Sequence, residues 1–314
     1  MLRSFTHERG MVWGLGIAIG LLIFFPPILP KYSVSLLTQG LIYAIVAMSL
    51  DILIGYTGLR SLGHSAFFAI GAYVAAILAT KYQVGFAVTL GASFLFALGA
   101  SAVVGLMALR ATGIYFLMIT LAVAMSLWGL LYRWVSLTGG DNGIANIPRP
   151  AVALFWTLNN PIHFYYFILF FFLLCLVLFF LLIQSAYGKT LVGIRDSELR
   201  MKVMGYNVWL HKYLIFSIAG GFAGLGGNLY AYYNGFVGPD LSNLAHCIIF
   251  VLMVSLGGPG KLVGALIGAF IITFLEHLVS VYTGRWVMIL AGVYVMTSVY
   301  APQGILGLLK KTRQ

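Results

Sequence analysis

The sequence predicts an all-α integral membrane protein, a helical bundle of nine or ten transmembrane segments, some of them broken by Gly-rich turns. Hydrophobic residues make up 61% of the 314-residue chain and charged residues 8%, whereas a soluble domain has about 25% charged residues. Uncharged apolar runs recur at about the twenty residues that a helix needs to cross a hydrocarbon core. These runs do not alternate apolar and polar residues, as the strands of a transmembrane barrel do.

Ten segments are predicted to span the membrane. The first, at 11–29, has Pro26 and Pro27 where a signal peptide would need small residues at its cleavage site, so we expect an uncleaved helix. The remaining nine are predicted at 33–54, 62–80, 85–110, 113–135, 163–184, 212–233, 244–257, 262–282 and 286–300. The segment 244–257 is short for a full crossing, and a partial span there would change the alternation of the helices that follow.

The distribution of basic residues predicts the orientation. With a cytoplasmic N-terminus, thirteen of the eighteen Lys and Arg residues lie on the inner side, in agreement with the positive-inside rule. The five on the outer side are Lys31, Lys81, Arg133, Arg149 and Arg285. Both termini and the polar stretch at about 185–212 are therefore predicted to be cytoplasmic. The net charge of +11 is scattered over short connections, so we expect no binding of nucleic acid.

The stretch 187–212 is the only long polar run, and it contains five of the eighteen basic residues. A short helix is predicted inside it at 197–204. Asp196 is the expected N-cap, Glu198 adds negative charge to the first turn, and Gly205 is the expected left-handed residue after the C-terminus.

Two faces are expected on this short helix. Glu198 and Lys202 form an i, i+4 ion pair, while Leu199, Val203 and Tyr206 form an apolar stripe elsewhere on its surface. A helix of this length does not persist alone in water, so the stripe indicates a surface against which it packs. A solvated loop with one helical turn is the alternative.

Two Gly-rich connections, at 54–64 and 256–262, interrupt the apolar pattern in related ways. Transporters with internal repeats have such breaks at corresponding places, where free backbone groups line a cavity. Glycines that only permit close packing of helices are the alternative. On the predicted outer side, the turn-rich connections 137–144 and 234–241 are candidates for docking a soluble protein. Their candidate contact residues are Asp141, Asn142 and Asp240.

Candidates for a translocation pathway are the polar residues in or near the Gly-interrupted segments. They are Asp51, Thr57, Ser61, His64, Thr273 and Glu276. Asp51 is close enough in sequence to Arg60 for a structural ion pair, and His64 is typical of a packing residue as well as of a proton relay. Thr273, Glu276, His277 and Ser280 share a helical face by spacing. That face lines a path or contacts a partner subunit.

The sequence lacks the motifs of several kinds of active site. Two near-matches to a phosphate-binding loop, around Lys189 and Lys261, both lack its first glycine, so energy must come from another chain or a gradient. An ion-coupled carrier would need acids at membrane depth, for which Asp51 and Glu276 are the candidates. No motif of a membrane-embedded enzyme, a metal site or a resident cofactor is recognisable, and Cys175 and Cys247 lie in apolar segments.

Four segments resemble the signature segments of LivM-type permease subunits of bacterial branched-chain amino acid ABC importers. They read LDILIGYTGLRSLGHSAFFAIGAY, LTGGDNGI, GIRDSELRMKVMGYN and VSLGGPGKLVGALIGAF, in the order of the family. The resemblance implies that residues 1–314 form a single permease domain of the bacterial inner membrane, without enzymatic activity of its own. It also implies a homologous second permease, two cytoplasmic ATPase subunits and a periplasmic substrate-binding protein as partners.

By the same resemblance, the short cytoplasmic helix is a coupling helix that docks on an ATPase subunit. Its residues are Arg195, Asp196, Glu198, Leu199, Val203 and Gly205. Arg200 and Met201 replace two alanines that are usual in the family, which predicts a bulkier and more basic docking surface. Importers of urea, short-chain amides and aromatic carboxylates belong to the same family, so these substrates are alternatives to branched-chain amino acids. An ion-coupled secondary carrier ranks behind them.

Overall fold

The computed structural model describes residues 26–150 and 160–283, together with Gly20, Leu22, Ile23, Leu158 and scattered positions between 288 and 304. Most of the predicted spans at 11–29 and 286–300, and both termini, lie outside the described residues. In the described part, seven helices are long and apolar enough to cross a membrane, so the chain is a multi-pass membrane protein.

Ten helices of six or more residues follow one another between residues 31 and 282 of the described chain. They are α1 (Lys31–Asp51), α2 (His64–Lys81), α3 (Phe86–Ala108), α4 (Ile114–Arg133), α5 (Pro161–Gln184), α6 (Ala186–Asp196), α7 (Glu198–Val203), α8 (Val208–Asn234), α9 (Leu244–Gly257) and α10 (Leu262–Tyr282). A π-helical turn, Ile52–Thr57, continues α1. All except α6, α7 and α9 have the length of a membrane span.

The remaining elements are short. Strands β1 (Ile144–Ala145) and β2 (Phe236–Val237) pair antiparallel, with Ile144 opposite Val237. A one-turn helix and three 3₁₀ turns complete the described chain: Val135–Thr138, Pro26–Ile28, Gly140–Asn142 and Pro239–Ser242.

Seven of the eight predicted spans between residues 33 and 282 are confirmed within a few residues at each end, and the eighth, 244–257, is a helix shorter than a full span. The polar stretch is more helical than predicted, because it holds two helices, α6 and α7, instead of one. The short α9 does not disturb the alternation of the helices. Gly260, just after α9, donates its backbone N–H to Asp51 at the end of α1, so both helices finish at the same end of the bundle.

A turn that enters the bundle explains how the short α9 can reach this end. The 3₁₀ turn Pro239–Ser242 packs against α2 and α4 before α9 begins. Within it, the buried Ser242 hydroxyl donates to the Ala124 carbonyl of α4 at 2.9 Å. The chain has therefore already entered the protein interior where α9 starts.

Glycines allow α8 to pack closely at the centre of the fold, against α2 and α3. A Cβ at Gly71 would lie 1.9 Å from the Gly224 carbonyl oxygen, and one at Gly227 would lie 1.9 Å from the Phe68 carbonyl oxygen. Similarly, a Cβ at Gly268 of α10 would lie 1.8 Å from a carbonyl oxygen of α9. Gly71 and Gly268 follow the two Gly-rich connections, so at these positions close helix packing, the alternative reading of the glycines, is confirmed.

Polar side chains reinforce the same packing. Ser93 of α3 donates to the Gly71 carbonyl at 2.9 Å, and Asn228 of α8 donates to the Ser93 hydroxyl at 3.0 Å. All three residues are buried. By contrast, α3, α4 and α5 expose much of their apolar surface and lie at the periphery, where lipid would surround them.

We predict that Gly71→Ala destabilises the protein, whereas Gly99→Ala does not. The added methyl at Gly71 would collide with the backbone of α8, and overpacking of this kind typically costs about 1–3 kcal/mol. A Cβ at Gly99, on α3, would have no atom within 4 Å, which makes this position a matched control. The measurement is the thermal unfolding midpoint of each purified variant in detergent. Equal midpoints would contradict the packing described here.

Candidate functional site

Three connections meet at one end of the bundle, which we call the polar end. They are residues 52–63, 185–207 and 258–261. The carboxylate Oδ1 of Asp51 accepts a hydrogen bond from the Gly260 backbone N–H at 2.7 Å. The Arg195 guanidinium donates to the Gly55 carbonyl oxygen. The structure therefore brings the two Gly-rich connections into contact with each other and with the polar stretch.

This contact leaves no room for a side chain at Gly55. A Cβ at Gly55 would lie 2.0 Å from the Gly260 nitrogen and 2.5 Å from Asp51 Oδ1. Gly260 has φ +82° and Gly58, which ends the π-helical turn, has φ +75°. L-residues rarely adopt this left-handed conformation. Both connections thus need glycine for close approach as well as for backbone conformation.

A structural ion pair with Arg60, one of the two interpretations of Asp51, is not formed among the described residues. Arg60 is exposed, whereas Asp51 is fully buried and its carboxylate is bonded to the backbone of Gly260. The reason is the fold of the second connection, whose left-handed turn aims an amide at the end of α1. Asp51 Oδ2 has no hydrogen-bond partner among the residues that the structure describes.

The helix α6 is held against the start of α8. Ser185 caps its N-terminus by accepting from the Gly188 N–H at 3.2 Å. The Tyr187 hydroxyl donates to the His211 carbonyl at 2.8 Å, and the two rings stack. Burial raises the pKa of Tyr187 to about 12, so this phenol stays protonated and remains a donor at neutral pH.

The N-cap of α7 is Ser197, and the prediction of Asp196 as its N-cap is wrong. The Ser197 side chain accepts from the Arg200 N–H at 3.3 Å. Asp196 is the last residue of α6, and its carboxylate lies 3.3 Å from the Arg195 guanidinium. Ser197 has the extended backbone that an N-cap requires (φ −164°, ψ 103°), whereas Asp196 is still helical. Gly205 has φ +87°, the left-handed conformation expected after the helix.

Glu198 pairs with Lys212 of α8, which corrects the predicted pairing with Lys202. Lys212 is buried, and a buried ammonium group needs a counter-charge. Because α7 folds back toward α8, it supplies that charge. Lys202 is exposed.

The inner and outer faces of α7 are both apolar. Met201 is only 9% exposed and packs with Ile194 and Val208, so the expectation that it enlarges an outward surface is wrong. Leu199 and Val203 point away from the protein and are 75% and 82% exposed. An apolar patch kept exposed beyond the membrane spans is typical of a protein interaction site.

At the opposite end of the bundle, the β1–β2 pair joins the two turn-rich connections. Gly143 is essential to this approach, since its Cβ would lie 2.3 Å from the Val237 carbonyl oxygen. The three candidate docking residues Asp141, Asn142 and Asp240 are all exposed. The structure therefore gathers two loops that are about ninety residues apart in sequence onto one surface.

The pathway candidates are divided between two regions. At the polar end with Asp51, the side chains of Thr57, Ser61 and His64 are buried. Thr57 donates to the Leu53 carbonyl at 2.6 Å, and Ser61 accepts from the Gly63 N–H at 3.2 Å. Both hydroxyls therefore have structural hydrogen bonds. Neither ring nitrogen of His64 has a partner among the described residues.

The other two candidates lie farther along α10. Thr273 is buried and donates to the Ala269 carbonyl of its own helix at 2.8 Å. Glu276 is partly buried, and its Oε2 atom is buried without a hydrogen-bond partner in the described part of the chain. On the same predicted face, Ser280 is exposed and donates to the His277 carbonyl at 3.0 Å.

A polar cluster around Glu276 was missed in the sequence. The rings of Tyr43 of α1 and Tyr230 of α8 stack with their centroids 6.0 Å apart, and both tyrosines interact electrostatically with Glu276. His277 Nε2 lies 2.8 Å from Gln39 Oε1. The cluster combines residues of α1, α8 and α10, which are far apart in the sequence. The helical spacing along α10 could therefore indicate only the residues of that helix, Glu276 and His277.

The chain is similar to permeases of known transport systems. The family described as branched-chain amino acid transport system, permease component, matches residues 32–299. The high-affinity branched-chain amino acid transport system permease protein LivM of Escherichia coli (strain K12) is 28% identical over 308 residues, covering 91% of this chain and 72% of the relative. LivM of Salmonella typhimurium is 28% identical over 306 residues, covering 90% and 72%.

A more distant relative matches a smaller part of the chain. The autoinducer 2 import system permease protein LsrC of Salmonella typhi is 27% identical over 101 residues, which is 30% of this chain and 29% of that protein. No solved structure matches the chain. The family match, by contrast, includes almost all of α1 and every later helix through α10. The chain belongs to the family of permease components of branched-chain amino acid transport systems.

Proposed function

We propose that this chain is one permease subunit of an ATP-driven importer in the bacterial inner membrane. Together with a homologous second permease, it forms the path that branched-chain amino acids cross. Two cytoplasmic ATPase subunits supply the energy, and a periplasmic binding protein delivers the substrate. The observation that carries this proposal is the exposed apolar face of α7, which lies outside the membrane-spanning helices. The chain belongs to a family of permease components, in which such a face is expected to bind another subunit.

The geometry of α7 supports docking on another protein. A six-residue helix has no stability of its own in water, and here Met201, the Ser197 cap and the Glu198–Lys212 pair hold it in place. The contacts on its inner side leave Leu199 and Val203 free to enter an apolar groove. An ATPase subunit with such a groove would move α7 as a rigid lever when ATP binding closes the two ATPase subunits.

The relatives favour branched-chain amino acids as the substrate. The two LivM proteins, which are named for this transport, align with about nine-tenths of the chain, whereas the LsrC match covers less than a third of it. The alternatives of urea, amides and aromatic carboxylates are not favoured. An ion-coupled carrier is also disfavoured, because the family model that matches most of the chain is that of a permease component, and the Asp51 carboxylate has a structural hydrogen bond to Gly260.

In this arrangement the polar end and both termini face the cytoplasm. The β1–β2 surface faces the periplasm, where Asp141, Asn142 and Asp240 contact the binding protein. The basic residues of the polar stretch support this orientation through the positive-inside rule. Apolar side chains on the outside of α3, α4 and α5 contact lipid.

The polar cluster around Glu276 contributes to the pathway or to the contact with the second permease. Its buried, unpartnered carboxylate oxygen supports this role, since a polar atom in the membrane interior normally has a partner. A zwitterionic amino acid carries an ammonium group that could supply one. The Thr57, Ser61, His64 and Thr273 side chains are secondary candidates, because most of them already make structural hydrogen bonds.

We predict that the double substitution Leu199→Ala and Val203→Ala removes ATPase docking. Truncation of a packed aliphatic anchor costs about 2–5 kcal/mol, enough to dissociate a modest interface. The permease itself should remain folded, because both side chains are exposed within the subunit. The measurement is substrate-stimulated ATP hydrolysis, with co-purification of the ATPase subunits, in the complex reconstituted in lipid.

Lys202→Gln serves as the control for this experiment, since Lys202 is exposed on α7 and forms no ion pair with Glu198. Surface charges contribute only about 0–1 kcal/mol. Loss of coupling in Lys202→Gln, with wild-type coupling in the double variant, would assign docking to the charged side of the helix.

The orientation predicts which introduced thiols are accessible in intact cells. A cysteine at Lys202 should resist an impermeant thiol reagent, whereas a cysteine at Asn142 should react. The native Cys175 and Cys247 are buried, so the unsubstituted protein is the unlabelled control. Labelling at position 202 from outside, without labelling at 142, would invert the proposed topology.

We predict that Glu276→Gln lowers transport without loss of folded protein. Glutamine keeps the shape of the side chain but removes its charge, so the packing of α10 against α1 is retained. Uptake of a labelled branched-chain amino acid and the yield of assembled complex are measured in parallel. Leu278→Ala is the control, because Leu278 is exposed on the side of α10 opposite to Glu276. Unchanged uptake and assembly would remove Glu276 from both the pathway and the subunit interface.

A further inference from the structure

We propose that Arg195 and Asp51 form the connection that transmits movement of α7 to both Gly-rich connections. This inference rests on the proposed function, and it assigns to Arg195 an inward role. Arg195 is then a positioning residue of the permease and not a contact of the ATPase.

Arg195 lies where the polar stretch meets the bundle. It is the second-last residue of α6 and is followed closely by the Ser197 cap of α7. Its guanidinium donates to the Gly55 carbonyl, and a Cβ at Gly260 would lie 3.3 Å from its Nη1 atom. One side chain therefore reaches from the base of α7 to both Gly-rich connections.

Asp51 supplies the second half of the connection. Its carboxylate is fully buried, and Oδ1 holds the Gly260 N–H at 2.7 Å. The Lys261 backbone N–H and the Arg195 guanidinium also interact with this carboxylate, but the Oδ2 atom has no hydrogen bond of good geometry among the described residues. A buried carboxylate oxygen without a hydrogen bond is costly. Movement of the Arg195 guanidinium toward Asp51 would supply a hydrogen-bond donor to this oxygen.

Two arrangements of Arg195 follow from this geometry. In the present one, its guanidinium bonds to the Gly55 carbonyl and to Asp196, and its side chain is 40% exposed. In the other, it turns inward and donates to the free oxygen of Asp51. Guanidinium has five N–H donors, so it can change partners without being left unpaired. An element with two discrete arrangements is what converts a displacement at one site into a change at another.

The connection reaches the helices that carry the polar cluster. Asp51 ends α1, and Gly260 lies between α9 and α10. The Gly55–Gly260 contact is too close to absorb movement locally, because even a Cβ would clash there. Displacement of Arg195 therefore shifts the ends of α1 and α10 together, and these helices also pack against each other along their length.

The test compares Arg195→Gln with Lys189→Gln in the complete reconstituted complex. Lys189 is also an exposed basic residue of α6, but its side chain makes no hydrogen bond or ion pair among the described residues. The readout is the amount of substrate transported per ATP hydrolysed, measured beside co-purification of the ATPase subunits. We expect Arg195→Gln to retain the ATPase subunits and to lower this ratio about tenfold, within the usual range of coupling between sites. Lys189→Gln should leave the ratio unchanged.

A double-mutant cycle of Arg195→Gln with Asp51→Asn tests whether the two residues act as a pair or have independent structural roles. Asparagine keeps an oxygen that can accept from Gly260 and removes the charge that attracts Arg195. If the two residues act as a pair, the double variant has the ratio of the worse single variant. Should Arg195→Gln fold poorly, Arg195→Lys retains the cation without the fork of donors and is expected to show a smaller loss of the ratio.

The outcomes distinguish this inference from the proposed function. Release of the ATPase subunits by Arg195→Gln would make Arg195 a docking residue and overturn the inference, while leaving the importer assignment intact. An unchanged ratio, or losses that multiply in the double variant, would overturn it as well. Retention of the ATPase subunits by the Leu199→Ala, Val203→Ala variant would count against the proposed docking of α7 and is independent of Arg195.

Discussion

The contact between Gly55 and Gly260 is the constraint on which the polar end depends. The two backbones approach so closely that Gly55 has no space for a side chain, and Asp51 bonds to the amide that this approach presents. The contact fixes the end of α1 against the connection between α9 and α10. It also leaves the Gly55 carbonyl available to Arg195, so the base of the α6–α7 segment is attached to the bundle at the same point.

The interior of the bundle is stabilised in the way expected of a protein in lipid. Lipid chains are as apolar as the side chains they surround, so burial of apolar area provides little force between helices within the membrane. Close backbone packing takes its place, and α8 with its glycines approaches α2 and α3 to within contact of their carbonyl groups. The bonds from Asn228 to Ser93 and from Ser93 to Gly71 add polar interactions that have no competing water.

The polar stretch shows how a very short helix can be presented to another protein. Apolar side chains occupy both faces of α7, and tertiary contacts decide which of them is buried. Met201 packs with Ile194 and Val208, and Glu198 is held by Lys212, so the opposite side with Leu199 and Val203 is left exposed. The helix is therefore positioned by the permease and does not need its partner in order to form.

Hydropathy and glycine placement in the sequence were sufficient to determine the apolar helices between residues 33 and 282, the exposed stripe of α7 and the left-handed conformation of Gly205. Each of these depends on residues near one another along the chain. The partners of Asp51 and Glu198, the inward direction of Met201 and the polar cluster around Glu276 were decided only by the tertiary structure. Asp51 and Gly260 are 209 positions apart, and helical spacing describes only the neighbours on one helix. Which distant backbone amide or side chain satisfies a buried charge depends on how the helices pack.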